Sequence, residues 1–78
     1  METKIIELIA EHFGIPTPEI NRAFELRKDL NATDLELADF FQILEDTFNI
    51  TISKNDALNL VTIDDLITYV ADHAEEIT

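Results

Sequence analysis

Apolar side chains recur at helical spacing in four separate stretches of this chain, and that periodicity limits what it can fold into. The first stretch, residues 2–13, places Ile5, Leu8, Ile9 and Phe13 on one stripe. Gly14, the single glycine, suits a left-handed C-cap, and Pro16 prevents continuation of the helix. The second, residues 34–48, opens on Thr33 with Glu36 three residues on, the pattern of a capping box. It aligns Leu37, Phe40, Phe41, Leu44 and Phe48. Ser53 with Asp56 marks a short third helix over 54–60 holding Ala57 and Leu58. Thr62 with Asp65 starts a fourth over 63–75, with Ile63, Leu66, Ile67, Val70, Ala71 and Ala74 predicted inward. The connection 15–33 is long, and Ile15, Ile20, Phe24 and Leu30 are predicted to pin it to the body. Residues 50–53, Ile-Thr-Ile-Ser, alternate, but one short run without a partner makes no sheet. The expected fold is all-α: a four-helix bundle with a long first connection and a minor third helix, one domain over 1–78.

Composition narrows the class. Hydrophobic residues reach 46%, enough for a packed core, and the absence of cysteine rules out disulfides and thiolate metal sites. No apolar run approaches the roughly 20 residues that span a bilayer. The N-terminal segment is acidic and periodic, unlike a signal peptide. A soluble, cytoplasmic monomer is the expectation. Seventeen acidic residues face five basic ones, a formal net charge of -12. Such a field repels nucleic-acid phosphates and anionic membranes, and it favours docking onto basic patches of partner proteins. The same charge also serves solubility.

Catalytic chemistry is poorly provided for, and the chain is not expected to be an enzyme. Ser53, the single serine, is placed as a helix cap. His12 and His73 fall in last turns, where the helix dipole favours a cation at the terminal carbonyls. No matched set of His, Asp and Glu points to a specific metal centre, so no metal is expected. Arg22, Arg27 and Lys28 form the one basic concentration, with Glu19, Glu25 and Asp29 as the expected local counter-ions.

At the second helix the chain resembles the acyl carrier protein family. The family signature Asp-Leu-Gly-Ala-Asp-Ser-Leu-Asp reads here as Asp29-Leu30-Asn31-Ala32-Thr33-Asp34-Leu35-Glu36, followed by the acidic helix and, further on, Val61-Thr62-Ile63-Asp64-Asp65-Leu66. The resemblance covers nearly the whole chain and implies the acyl-carrier four-helix fold. It also places Asp34 at the position of the serine that carries the 4′-phosphopantetheine arm. Asp34 has no hydroxyl to attack the phosphate of coenzyme A, so no arm, and no other cofactor, is expected there. Using Thr33 instead would turn the acceptor by about 100° around the helix. Asn31 replaces the family's glycine and tolerates positive φ next best. The family's acidic recognition positions correspond to Glu36, Asp39, Glu45 and Asp46. Two apolar interface positions correspond to Ala38 and Gln42, smaller or polar here.

The expected function is an acyl-carrier-like interaction module without the arm, its acidic second helix docking on basic surfaces, enzymes of fatty-acid or polyketide synthesis included. The alternatives are a working carrier, through an engineered serine-to-aspartate form or another attachment point, and a metal-binding acidic bundle. Self-repulsion among 17 acidic residues carries a direct consequence. Raising ionic strength, or adding millimolar divalent cation, is expected to raise the melting temperature followed by circular dichroism; a flat response from low to moderate salt contradicts it.

Overall fold

The computed structural model describes residues 2–74. They form α1 (Glu2–Phe13), a 3-10 turn (Thr17–Glu19), α2 (Asp34–Phe48), α3 (Lys54–Asn59) and α4 (Ile63–His73). The all-α four-helix expectation holds, with the third helix one residue shorter than predicted and the fourth ending at His73. Predicted residue 75 lies outside the described residues.

The helices α1, α2 and α4 bury the stripes their periodicity defines, while α3 buries no residue fully. Ile5 and Ile9 from α1, Leu37, Phe40 and Leu44 from α2, and Ile63, Leu66, Ile67 and Val70 from α4 make one core. Phe13 and Phe40 meet with ring centroids 5.4 Å apart, joining the end of α1 to the middle of α2. Ala71, predicted inward, is exposed, because it sits about 100° around the helix from Val70 at the centre of the stripe. Leu58 is likewise exposed, while Ala57 beside it is partly covered.

The helix ends are closed by the residues the sequence places there. Gly14 adopts φ +69, and its N–H and that of Ile15 both reach the Ala10 carbonyl. Nothing lies within 4 Å of where a Cβ would stand, so the glycine is required for its backbone angle and not for space. Thr33 and Thr62 each form a complete capping box, with Glu36 and Asp65 respectively, and Ser53 accepts from the Asp56 N–H. Asn49 ends α2 in the left-handed conformation, with its N–H on the Glu45 carbonyl.

The long connection is held by backbone as well as side chains. The Leu26 N–H donates to the Val61 carbonyl (2.8 Å), the Ile63 N–H to Phe24 (2.9 Å) and the Asp64 N–H to Arg22 (2.8 Å). Ile63 and Asp64 are the first two residues of α4, whose N–H groups have no partner within the helix. The connection supplies the carbonyls they need. Among the described residues the isolated antiparallel pairing Glu25–Thr62 belongs to this seam. Leu30 is buried as predicted, and Ile15, Ile20 and Phe24 pack partly against the core. Leu26, not anticipated, is 0% exposed.

At the other end of α4, the Tyr69 hydroxyl donates to the Asp56 carboxylate (2.8 Å), with the Thr51 carbonyl at 3.2 Å, fastening α3 to α4. Partial burial first, then the Asp56 hydrogen bond, raises the Tyr69 pKa. The His73 ring stacks on Tyr69 at 3.9 Å, its Nδ1 2.8 Å from the Tyr69 carbonyl, the terminal-carbonyl role expected of it. His12 packs instead against Phe13 and Phe40.

Removing Leu26 tests the seam. Leu26→Ala is expected to cost about 2–5 kcal/mol in equilibrium urea unfolding, the range for truncating a fully buried leucine. Leu58→Ala is expected to stay within about 0.5 kcal/mol of the parent, as at other exposed sites.

Candidate functional site

The loop entering α2 is built from a closed turn. The Glu25 N–H donates to the Asp29 carboxylate (2.6 Å), and the Asp29 N–H returns to the Glu25 carbonyl (3.0 Å). This reciprocal pair leaves Arg27 at the outer tip and turns Leu30 into the core. Asn31 then takes φ +53, the left-handed angle its short amide side chain tolerates, and Ala32 is buried behind it. The chain arrives at Thr33 in extended conformation, as an N-cap requires.

Thr33 is fully engaged. Its Oγ1 accepts the Glu36 N–H (3.1 Å), and its own N–H donates to Glu36 Oε1 (3.0 Å). The hydrogen bond from the Thr33 backbone, then that from its side chain, hold the Glu36 pKa below the usual glutamate range. Asp34 follows at the first helical position with its side chain 88% exposed, and its Oδ1 accepts from Arg27 Nη1 at 2.9 Å. Leu35, next in sequence, is 71% exposed. The loop thus presents one carboxylate and one leucine to solvent at the mouth of α2.

The remaining predicted recognition residues divide. Ala38, Asp39, Gln42 and Asp46 are exposed, and the Gln42 amide donates to the Asp46 carboxylate one turn on (3.2 Å). Glu45 is partly buried, and its carboxylate accepts the Ile52 N–H (2.8 Å), organising the connection to α3. Glu36, though exposed, points back to its cap.

Arg22 and Arg27 find partners other than those expected from sequence proximity. Arg22 bridges Glu2 and Asp64, tying the start of α1 to the start of α4, and Arg27 takes Asp34. Asp29 is occupied with backbone, and the tight turn aims Arg27 away from its neighbours in sequence. Arg27 also lines a surface groove with Glu25, Ala57, Leu58, Leu60 and Val61. Among the described residues no three His, Asp or Glu side chains gather to hold a metal ion. No helix among them is long and apolar enough to cross a membrane.

Four short helices, a long pinned connection and an exposed side chain at the head of an acidic second helix define a carrier-protein architecture. The family model described as "Phosphopantetheine attachment site" matches residues 3–70. The chain is 37% identical over 70 residues to an acyl carrier protein of Chlamydia caviae, covering 90% of this chain and 91% of that one. It is 34% identical over 70 residues to the acyl carrier protein of Chlamydia felis, at 90% of each. The apo doublet acyl carrier protein from prodigiosin biosynthesis, solved in solution, superposes with a TM-score of 0.80 at 17% identity, over 99% of this chain and 37% of that longer one. The chain belongs to the phosphopantetheine-attachment family, that of the acyl carrier proteins, which are carriers and not enzymes.

The capping box gives a measurable signature. Thr33→Ala is expected to cost about 1 kcal/mol, the usual loss for an N-cap. The Glu36 carboxyl, followed by carbon-detected NMR, should titrate below the ordinary range in the parent and return toward it in the variant. Because folding lowers this pKa, its stabilisation is present above the ordinary glutamate range and lost as pH falls through the lowered value. The stability gap between parent and variant should therefore narrow on acidification.

Proposed function

We propose that this chain is an acyl-carrier-like interaction module that does not take the 4′-phosphopantetheine arm. It docks, as a monomer, through the acidic face of α2 on basic surfaces of partner proteins, enzymes of fatty-acid or polyketide synthesis among them. The observation that carries this proposal is Asp34: an exposed carboxylate at the first position of α2, held by Arg27, where the resemblance puts the arm-bearing serine.

The chemistry follows from the oxygen. A serine hydroxyl attacking the β-phosphate of coenzyme A expels 3′,5′-adenosine diphosphate and leaves a stable phosphodiester. A carboxylate doing the same would leave an acyl phosphate, an anhydride readily lost to water. The neighbouring Thr33 hydroxyl already accepts the Glu36 N–H, and turning it outward would uncap α2. An anionic group at a helix N-terminus is well placed electrostatically, so the Asp34 carboxylate partly reproduces the charge of a modified serine. Asp39 and Asp46 extend that charge along the exposed face of α2, with Glu36 beside the N-terminus. Complementary charge of this kind raises encounter rates and selects partners more than it adds affinity.

The decisive measurement is intact mass after incubation with a phosphopantetheinyl transferase and coenzyme A. The parent protein is expected to stay unmodified, and Asp34→Ser is expected to gain one arm. Modification of the parent at any position would overturn the proposal and return the chain to the working carriers.

A further inference from the structure

Three large apolar side chains are exposed among the described residues: Leu35 at 71%, Leu58 at 73% and Val61 at 50%. Scattered singly, such residues need no explanation. Leu58 and Val61 are not scattered. Leu58 and Val61 line the groove between the 25–27 turn and α3, together with the partly covered Ala57 and Leu60. Arg27 forms the groove's edge and reaches from it to Asp34, after which Leu35 follows in the chain. The apolar surface and the Asp34 carboxylate therefore adjoin.

We infer that this groove is the specificity-determining part of the docking surface, a socket for a large apolar side chain that a partner protein carries between lysines or arginines. The occupant is set by charge complementarity. A second copy of this chain would bring a further -12 into contact, and an anionic lipid surface would be repelled in the same way. A basic surface is attracted instead, and its cation can replace Arg27 on Asp34, since an exposed ion pair holds its partners weakly. Freed from Asp34, Arg27 can swing off the groove edge as the apolar side chain enters. Covering Leu58 and Val61 removes apolar area from water, which charge pairing along α2 alone does not do. The inference rests on the proposed docking to basic surfaces, and the two can fail separately.

The test uses three synthetic peptides on the full chain, followed by calorimetry and nitrogen-15 NMR: an amphipathic leucine–lysine helix, a lysine–serine peptide of the same charge, and a leucine–glutamate helix. The leucine–lysine peptide is expected to bind about tenfold tighter than the lysine–serine one, as for an interface anchor worth over 1 kcal/mol. It should shift the amides of Arg27, Leu35, Leu58 and Val61. Leu58→Asn combined with Val61→Thr should abolish that advantage and leave lysine–serine binding and the melting temperature unchanged. If the pair lowers the melting temperature, Leu58→Asn alone at its exposed site gives the same comparison. Equal binding of both lysine peptides, unaffected by the substitutions, would overturn the socket and leave charge-driven docking intact. Equal binding of the leucine–glutamate helix would overturn the basic partner, binding of none would overturn both, and self-association through this face in sedimentation would overturn the choice of occupant.

Discussion

The seam between the long connection and the start of α4 is the constraint on which the rest of this fold depends. A helix N-terminus carries N–H groups that its own backbone cannot satisfy. Here Ile63 and Asp64 donate to the Phe24 and Arg22 carbonyls, and Thr62 caps Asp65. The same strand-like pairing draws Leu26 into full burial and leaves the 25–29 turn projecting beside α2. One set of backbone bonds therefore satisfies the start of α4, completes the core under the loop, and brings Arg27 to Asp34.

Acidic side chains on the loops and α2 divide between backbone capping and exposure to solvent. Asp29, Glu36, Glu45 and Asp65 accept backbone N–H groups and stop the loops and helix ends from fraying. Asp34, Asp39 and Asp46 face outward on α2 and stand exposed to solvent. Glu45 shows why the division matters. By its position along the helix it belongs with the recognition acids, yet its carboxylate closes on Ile52 and takes part in the fold instead. The run of outward-facing acids on α2 is consequently shorter than their spacing in the sequence implies.

Much of the architecture was legible because it rests on local chemistry. Helix stripes, capping boxes at Thr33 and Thr62, the Ser53 cap and the glycine at position 14 each involve residues within a few positions of one another, where periodicity and capping preferences act. Leu26 escaped notice for the converse reason. It lies between Glu25 and Arg27 in a connection that forms no helix of its own, and its backbone bond to Val61, 35 positions away, fixes it at the seam. The counter-ions of Arg22 and Arg27 were misplaced for the same cause: nearness in sequence is a poor guide where a closed turn redirects the side chains.

The sequence by itself determined the four helices, the buried stripes of α1, α2 and α4, the helix caps and the absence of a hydroxyl at position 34, because each follows from the chemistry of a residue and its close neighbours. The tertiary structure alone decided that Asp34 pairs with Arg27, that Glu45 turns inward, and that Leu58 and Val61 lie uncovered beside them. Those outcomes depend on how α3 and the 25–29 turn are docked, and that docking is made by hydrogen bonds between segments far apart in the chain.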